Sequence, residues 1–88
     1  MFTKTVDGVY SFILEVPGFG KKDLEINLDG GILTVVGEIS TTTGKRAVNS
    51  TVNIGKDTIN KVTLENGILE IKINESPKPD KSTKINID

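Results

Sequence analysis

The chain has 88 residues, 11 Lys and Arg against 12 Asp and Glu, and neither cysteine nor histidine. A domain this size buries only about 60–65% of its unfolded surface and is stabilised by little else; disulfides are excluded, and a metal would find only oxygen ligands. A net charge of −1 without a basic stripe argues against nucleic-acid partners, and no apolar run approaches the length of a membrane span.

Oligomerisation is therefore the expected aid to stability. The opening "MFTKTVDG" carries no apolar targeting core. A chain without cysteine suits a reducing setting, so a cytoplasmic location is expected.

Strand signals then follow one another. Residues 9–16, "VYSFILEV", alternate with Tyr10, Phe12, Leu14 and Val16 on one face. Pro17-Gly18 stops the run, because proline lacks the ladder donor and glycine permits a turn. "KKDLE" hints at a helical turn. "LEINL" places Leu24, Ile26 and Leu28 on one face and Glu25 and Asn27 on the other, and Asp29-Gly30-Gly31 signals a hairpin from which "ILTVVGEI" returns. The polar "STTTGKR" reads as a hairpin loop, followed by a strand over residues 48–54. A short strand over 62–64 meets a second hairpin signal, Glu65-Asn66-Gly67. "ILEIKI" closes the set, with Leu69, Ile71 and Ile73 on its inner face.

Six or more short strands with tight turns and no intervening helices predict an all-β fold, an antiparallel immunoglobulin-like β-sandwich. The expected division is a sandwich domain over residues 1–74 and a flexible extension over 75–88. The stretch after residue 73, "NESPKPDKSTK", is polar and proline-punctuated, and such composition makes a semi-rigid extended spacer. From residue 74 to 85 it spans roughly 30–40 Å at full stretch, more than the domain radius of roughly 13 Å. The extension ends in "INI", two isoleucines that ask to be buried against something.

Catalytic chemistry is missing. Without His or Cys the candidates are carboxylates, lysines and hydroxyls. Asp7, Glu15, Glu25, Glu38, Glu65 and Glu70 are scattered and mostly fall on solvent faces. Gly18-Phe19-Gly20 opens like a dinucleotide fingerprint, but neither a third glycine nor a helix follows, so a turn is the better reading. Asn49-Ser50-Thr51 and Asn74-Glu75-Ser76 match the glycosylation triplet, which arises readily by chance. The chain is expected to be no enzyme and to use no cofactor.

Taken together, these segments resemble the small heat shock proteins, whose shared core is the α-crystallin domain. "VYSFILEVPGFGKKDLEINLDGGILTVVGE" is similar to that family's order of strand, Pro-Gly break, helical turn, strand, hairpin and strand. "VTLENGILEIKI" is similar to its signature before the last strand, with Asn66-Gly67-Ile68-Leu69 for the Asn-Gly-Val-Leu core. Ile85-Asn86-Ile87 matches its C-terminal I-x-I motif.

The resemblance implies that Ile85 and Ile87 dock in a groove of a neighbouring domain and build dimers into larger homo-oligomers. That groove would be lined by Leu24, Ile26, Leu28, Val62 and Leu64. Alternate side chains of an extended tail point together, so the two isoleucines can enter side by side.

Departures from the family pattern bear on assembly. At most about six residues precede the first strand, where relatives carry an arm of tens of residues. "STTTGKR" is too short for the swapped strand of bacterial and plant dimers. A strand over 47–54 paired with its own copy is the remaining mode, with Val48, Ser50 and Val52 at the dimer edge. Ser50 stands where an arginine is usual, Gly55 where a proline is, and Val62 where alanine is common.

The expected function is that of a stress-response chaperone, an ATP-independent holdase that binds partly unfolded proteins and prevents their aggregation. The alternatives are a CS-type co-chaperone or adaptor module, and a structural self-assembling β-sandwich without clients.

Overall fold

The alternation read from the sequence becomes six strands in a computed structural model that describes residues 1–77. These are β1 (Val9–Glu15), β2 (Leu24–Asp29), β3 (Ile32–Thr41), β4 (Gly44–Asn53), β5 (Thr58–Glu65) and β6 (Ile68–Asn74). A single 3-10 turn, Lys21–Asp23, stands between β1 and β2 where "KKDLE" hinted at one. Two three-stranded antiparallel sheets result, ordered β1-β6-β5 and β2-β3-β4. The chain leaves the first sheet after β1, builds the second as a meander, and returns to finish the first. This is the expected antiparallel β-sandwich.

Turn chemistry sets the registers. Gly30 and Gly31 have φ of 59° and 83°, and Asn66 and Gly67 have 51° and 76°. Positive φ at both central residues is the I′ geometry whose twist suits a two-residue hairpin. Each turn places its first strand pair directly opposite: Asp29 faces Ile32, and Glu65 faces Ile68.

The third hairpin corrects an expectation. "STTTGKR" is not a loop but mostly ladder, with Thr41 paired to Gly44 and Ile39 to Arg46, leaving only Thr42 and Thr43 to turn. The Thr41 hydroxyl supports that turn, donating to the Gly44 carbonyl at 2.7 Å and accepting from the Thr43 N–H at 3.2 Å. The strand expected over 62–64 is likewise longer, running over Thr58–Glu65 with a bulge at Asn60, where the register slips between Ile59 and Lys61.

The core lies between the sheets. Leu69, Ile71 and Ile73 of β6 are at most 2% exposed and meet Leu33 and Val35 of β3, the central strand of the facing sheet. Phe12, Val16, Phe19 and Ile54 complete it. Phe19 belongs to the segment read as a turn; the turn is present, with the Phe19 N–H bonded to the Val16 carbonyl at 3.1 Å, but its ring is buried. Residues before β1 fold back along it. Phe2 bridges to Phe12 and Val6 to Val9, and the Phe2 ring lies 4.9 Å from Phe12 and 5.8 Å from Tyr10. Among the described residues no buried side-chain nitrogen or oxygen lacks a partner. Ile85 and Ile87, and all of the extension beyond residue 77, lie outside the described residues.

Candidate functional site

On one side of the sandwich two edge strands flank an opening: β2, outermost in its sheet, and β5, outermost in the other. Leu24 and Ile26 of β2 and Val62 and Leu64 of β5 turn toward it, and among the described residues no further strand covers them. The result is an open trough of about 260 Å³ lined by Lys21, Leu24, Ile26, Val62, Leu64 and Leu69. Leu69, 2% exposed, belongs to the core itself, while Leu24, Ile26 and Leu64 are half-buried and Val62 is 41% exposed. Cross-strand pairing positions the walls: Leu64 stands opposite Leu69, Val62 opposite Ile71, and Leu24 opposite Gly37.

Four of the five residues expected to line a docking groove therefore share one trough. Leu28 does not line it. It pairs with Leu33 farther along β2, next to the Gly30-Gly31 turn, and is 42% exposed. Two further lining residues, Lys21 and Leu69, carry no sequence signal for this role. Leu69 is indistinguishable by alternation from Ile71 and Ile73, and Lys21 comes from the 3-10 turn, which has no period to read.

What the trough can do follows from its size and lining. It falls below the roughly 300–1,000 Å³ typical of small-molecule sites, and five of its six lining residues are aliphatic. Its rims are β2 and β5, each paired on one side only among the described residues, and such edge strands accept extended segments. A short run of alternating apolar side chains fits this description, and a polar substrate does not.

Among the described residues no three His, Cys, Asp or Glu side chains are grouped to hold a metal. Elsewhere, burial pushes the Tyr10 phenol up to about 12, helped by its hydrogen bond to Asp57 and the charges of Asp57 and Glu75. Asp57 moves down, held ionised chiefly by the Tyr10 hydroxyl and then by the Ser76 N–H. A phenol that resists ionisation is no base at neutral pH. The group is a structural tie.

The expected dimer edge lies across the molecule. Val48, Ser50 and Val52 are half-buried on β4, opposite Gly37, Val35 and Leu33. Within the described residues β4 has β3 as its sole strand neighbour, so its other side is an open edge. Among those residues no helix is long and apolar enough to cross a membrane.

Comparison with known proteins adds independent observations. The profile of the Hsp20/alpha crystallin family matches residues 3–88. Small heat shock protein C2 of Rickettsia felis is 37% identical over 83 aligned residues, taking in 76% of this chain and 53% of that protein. The chain thus spans about half the length of that curated relative. Among solved structures, the small heat shock protein of Synechococcus phage S-ShM2 superposes with a TM-score of 0.71 at 14% identity, covering 100% of this chain and 93% of that one. A C-terminally truncated form of AgsA, a small heat shock protein of Salmonella typhimurium, gives a TM-score of 0.70 at 25% identity, covering 99% and 95%.

Proposed function

This chain belongs to the Hsp20/alpha crystallin family, and on that premise we propose that it works as a chaperone of the holdase kind. It binds exposed apolar segments of partly unfolded proteins, without nucleotide, and keeps them from aggregating. The observation that carries the reading is the open aliphatic trough between β2 and β5. A partly unfolded chain offers extended segments with apolar residues at alternate positions, and an edge-bounded trough takes these through backbone pairing and side-chain burial.

Self-assembly uses the same trough. Ile85 and Ile87 carry the alternation required of an occupant, and the spacer before them is long enough to reach a second copy. Burying two isoleucines contributes roughly 3–6 kcal/mol gross, less the entropy of ordering the spacer. Each contact is therefore weak and exchangeable, and a closed assembly gains strength by having several. Tail and client compete for one site, so tail docking acts as an occupancy switch. The second contact of the assembly is the open β4 edge with Val48, Ser50 and Val52, where two copies pair.

Light scattering from a heat-aggregating enzyme tests the function. The protein is added at one to several subunits per client, with and without ATP. Suppression at near-stoichiometric ratios, unchanged by ATP, is expected. Undiminished scattering in the presence of folded protein would sink the holdase reading and leave an assembly or adaptor role.

A further inference from the structure

Among the described residues Lys21 is the one charged side chain lining the trough, placed at the end where β2 begins. Its neighbour Asp23 is already engaged, its carboxylate accepting the Gly20 N–H at 2.8 Å. The segment proposed to enter the trough reads Lys84-Ile85-Asn86-Ile87-Asp88, with a cation before the isoleucine pair and an anion after it. An apolar trough and two alternate isoleucines would by themselves accept the segment in either direction, because the I-x-I pattern is symmetric. The charges are not symmetric.

We propose that Lys21 pairs with Asp88 of the docked tail of a second copy and thereby fixes the direction in which the tail lies. Asp88 sits at the Lys21 end, Ile87 lies beside Leu24, Ile85 lies beside Ile26, and the segment runs antiparallel to β2. Spacing allows this. Ile85 and Ile87 are two residues apart, as are Leu24 and Ile26, so both pairs span about 7 Å in extended chain. The reverse direction would bring Lys84 against Lys21, a like-charge contact at the mouth of a largely aliphatic site. Far along β2 the strand closes on Asp29, with no lysine in β2 itself to favour that reversal. Clients lacking an anion at this position would use the trough without the clamp, so the pair favours self-docking over client binding.

This inference rests on the reading that the tail docks in the trough, and a charge swap in the full-length chain separates the two. Assembly mass against protein concentration is measured by analytical ultracentrifugation for the parent, Lys21→Glu, Asp88→Lys, the double variant, and Ile85→Ser/Ile87→Ser. Lys21 is exposed, and circular dichroism checks that each variant is folded. Each single charge reversal is expected to raise the concentration for half-assembly by about three- to tenfold at low salt. The double variant returns it to near the parent, and the differences fade at high salt. If the serine variant dissociates but the charge variants match the parent, or the double variant shows no rescue, the clamp is wrong and docking stands. If the serine variant assembles like the parent, docking itself is overturned and the clamp with it.

Discussion

The Tyr10 hydroxyl donates a 2.5 Å hydrogen bond to Asp57 Oδ2, tying β1 to the turn that leads into β5. The other oxygen of that carboxylate accepts the Ser76 N–H at 2.8 Å. One side chain thus joins the first strand, the return to the first sheet, and the residues that follow β6.

The tie gives an alkaline signature. Tyr10 titrates near 10 in an unfolded chain and is raised to about 12 in the folded one. Folding therefore favours the neutral phenol. Its contribution is complete below about pH 10 and is lost as pH climbs toward about 12. Urea unfolding between these limits should show stability falling in the parent. Tyr10→Phe should be less stable at pH 7, by about 0.5–1.5 kcal/mol, and should show less of that fall. Equal slopes for both proteins would assign the alkaline loss to other groups.

The acid side belongs to Asp57. Its folded value lies below the ordinary one, so the ionised form is favoured by folding. That stability is present above the unfolded value, about 3.9, and is lost as pH falls through the lower folded value. Asp57→Asn should flatten the acid limb of the stability profile. Asp57→Ala also deprives the Ser76 N–H of its acceptor, so amide exchange at Ser76 should accelerate. Unchanged exchange would mean that the extension's first residues are held by something else.

How far the sequence reveals this architecture depends on whether a segment has a period. Leu69, Ile71 and Ile73 alternate with polar residues and are buried as the alternation implies, and Asn66-Gly67 marks its turn by composition alone. The ribbon formed by Ser40, Thr41, Gly44 and Lys45 looks like a loop in sequence because it extends past the core, where neither face must be apolar. Phe19 sits in a non-repeating segment, and nothing local distinguishes a buried ring there from an exposed one. Leu28 fails for a different reason. Alternation shows which face of β2 turns inward, but not how far along it β5 provides an opposing wall.

Gly37 supports the trough from behind. It pairs with Leu24, and a Cβ there would stand 2.5 Å from the Asp23 carbonyl oxygen and 2.9 Å from Leu24 Cδ2. The backbone oxygen cannot yield without moving the turn that carries Lys21. Gly37→Ala should destabilise the fold by about 1–3 kcal/mol, in the range of overpacked sites, and should weaken assembly beyond that loss by displacing Leu24. Gly20→Ala is the control, since its nearest new contact, Asp23 Oδ2, is 3.4 Å away. Thermal melts that place the two variants together would show that the strand pair relaxes around the methyl group.

The proposed occupancy switch makes opposite demands on wall and tail. Val62 is 41% exposed in the described structure, so Val62→Ser should cost about 1 kcal/mol or less in stability. It nevertheless removes apolar surface from the trough and should lower both assembly and client protection. Ile85→Ser/Ile87→Ser removes the proposed competitor and leaves the wall intact. Assembly should fall as before, but client protection per subunit should rise, because troughs once filled by tails stand open. Paired sedimentation and light-scattering measurements on the two variants decide the matter. If protection falls in both, the assembled form is itself the active one. If protection survives Val62→Ser unchanged, clients bind elsewhere, and the open β4 edge becomes the surface to mutate next.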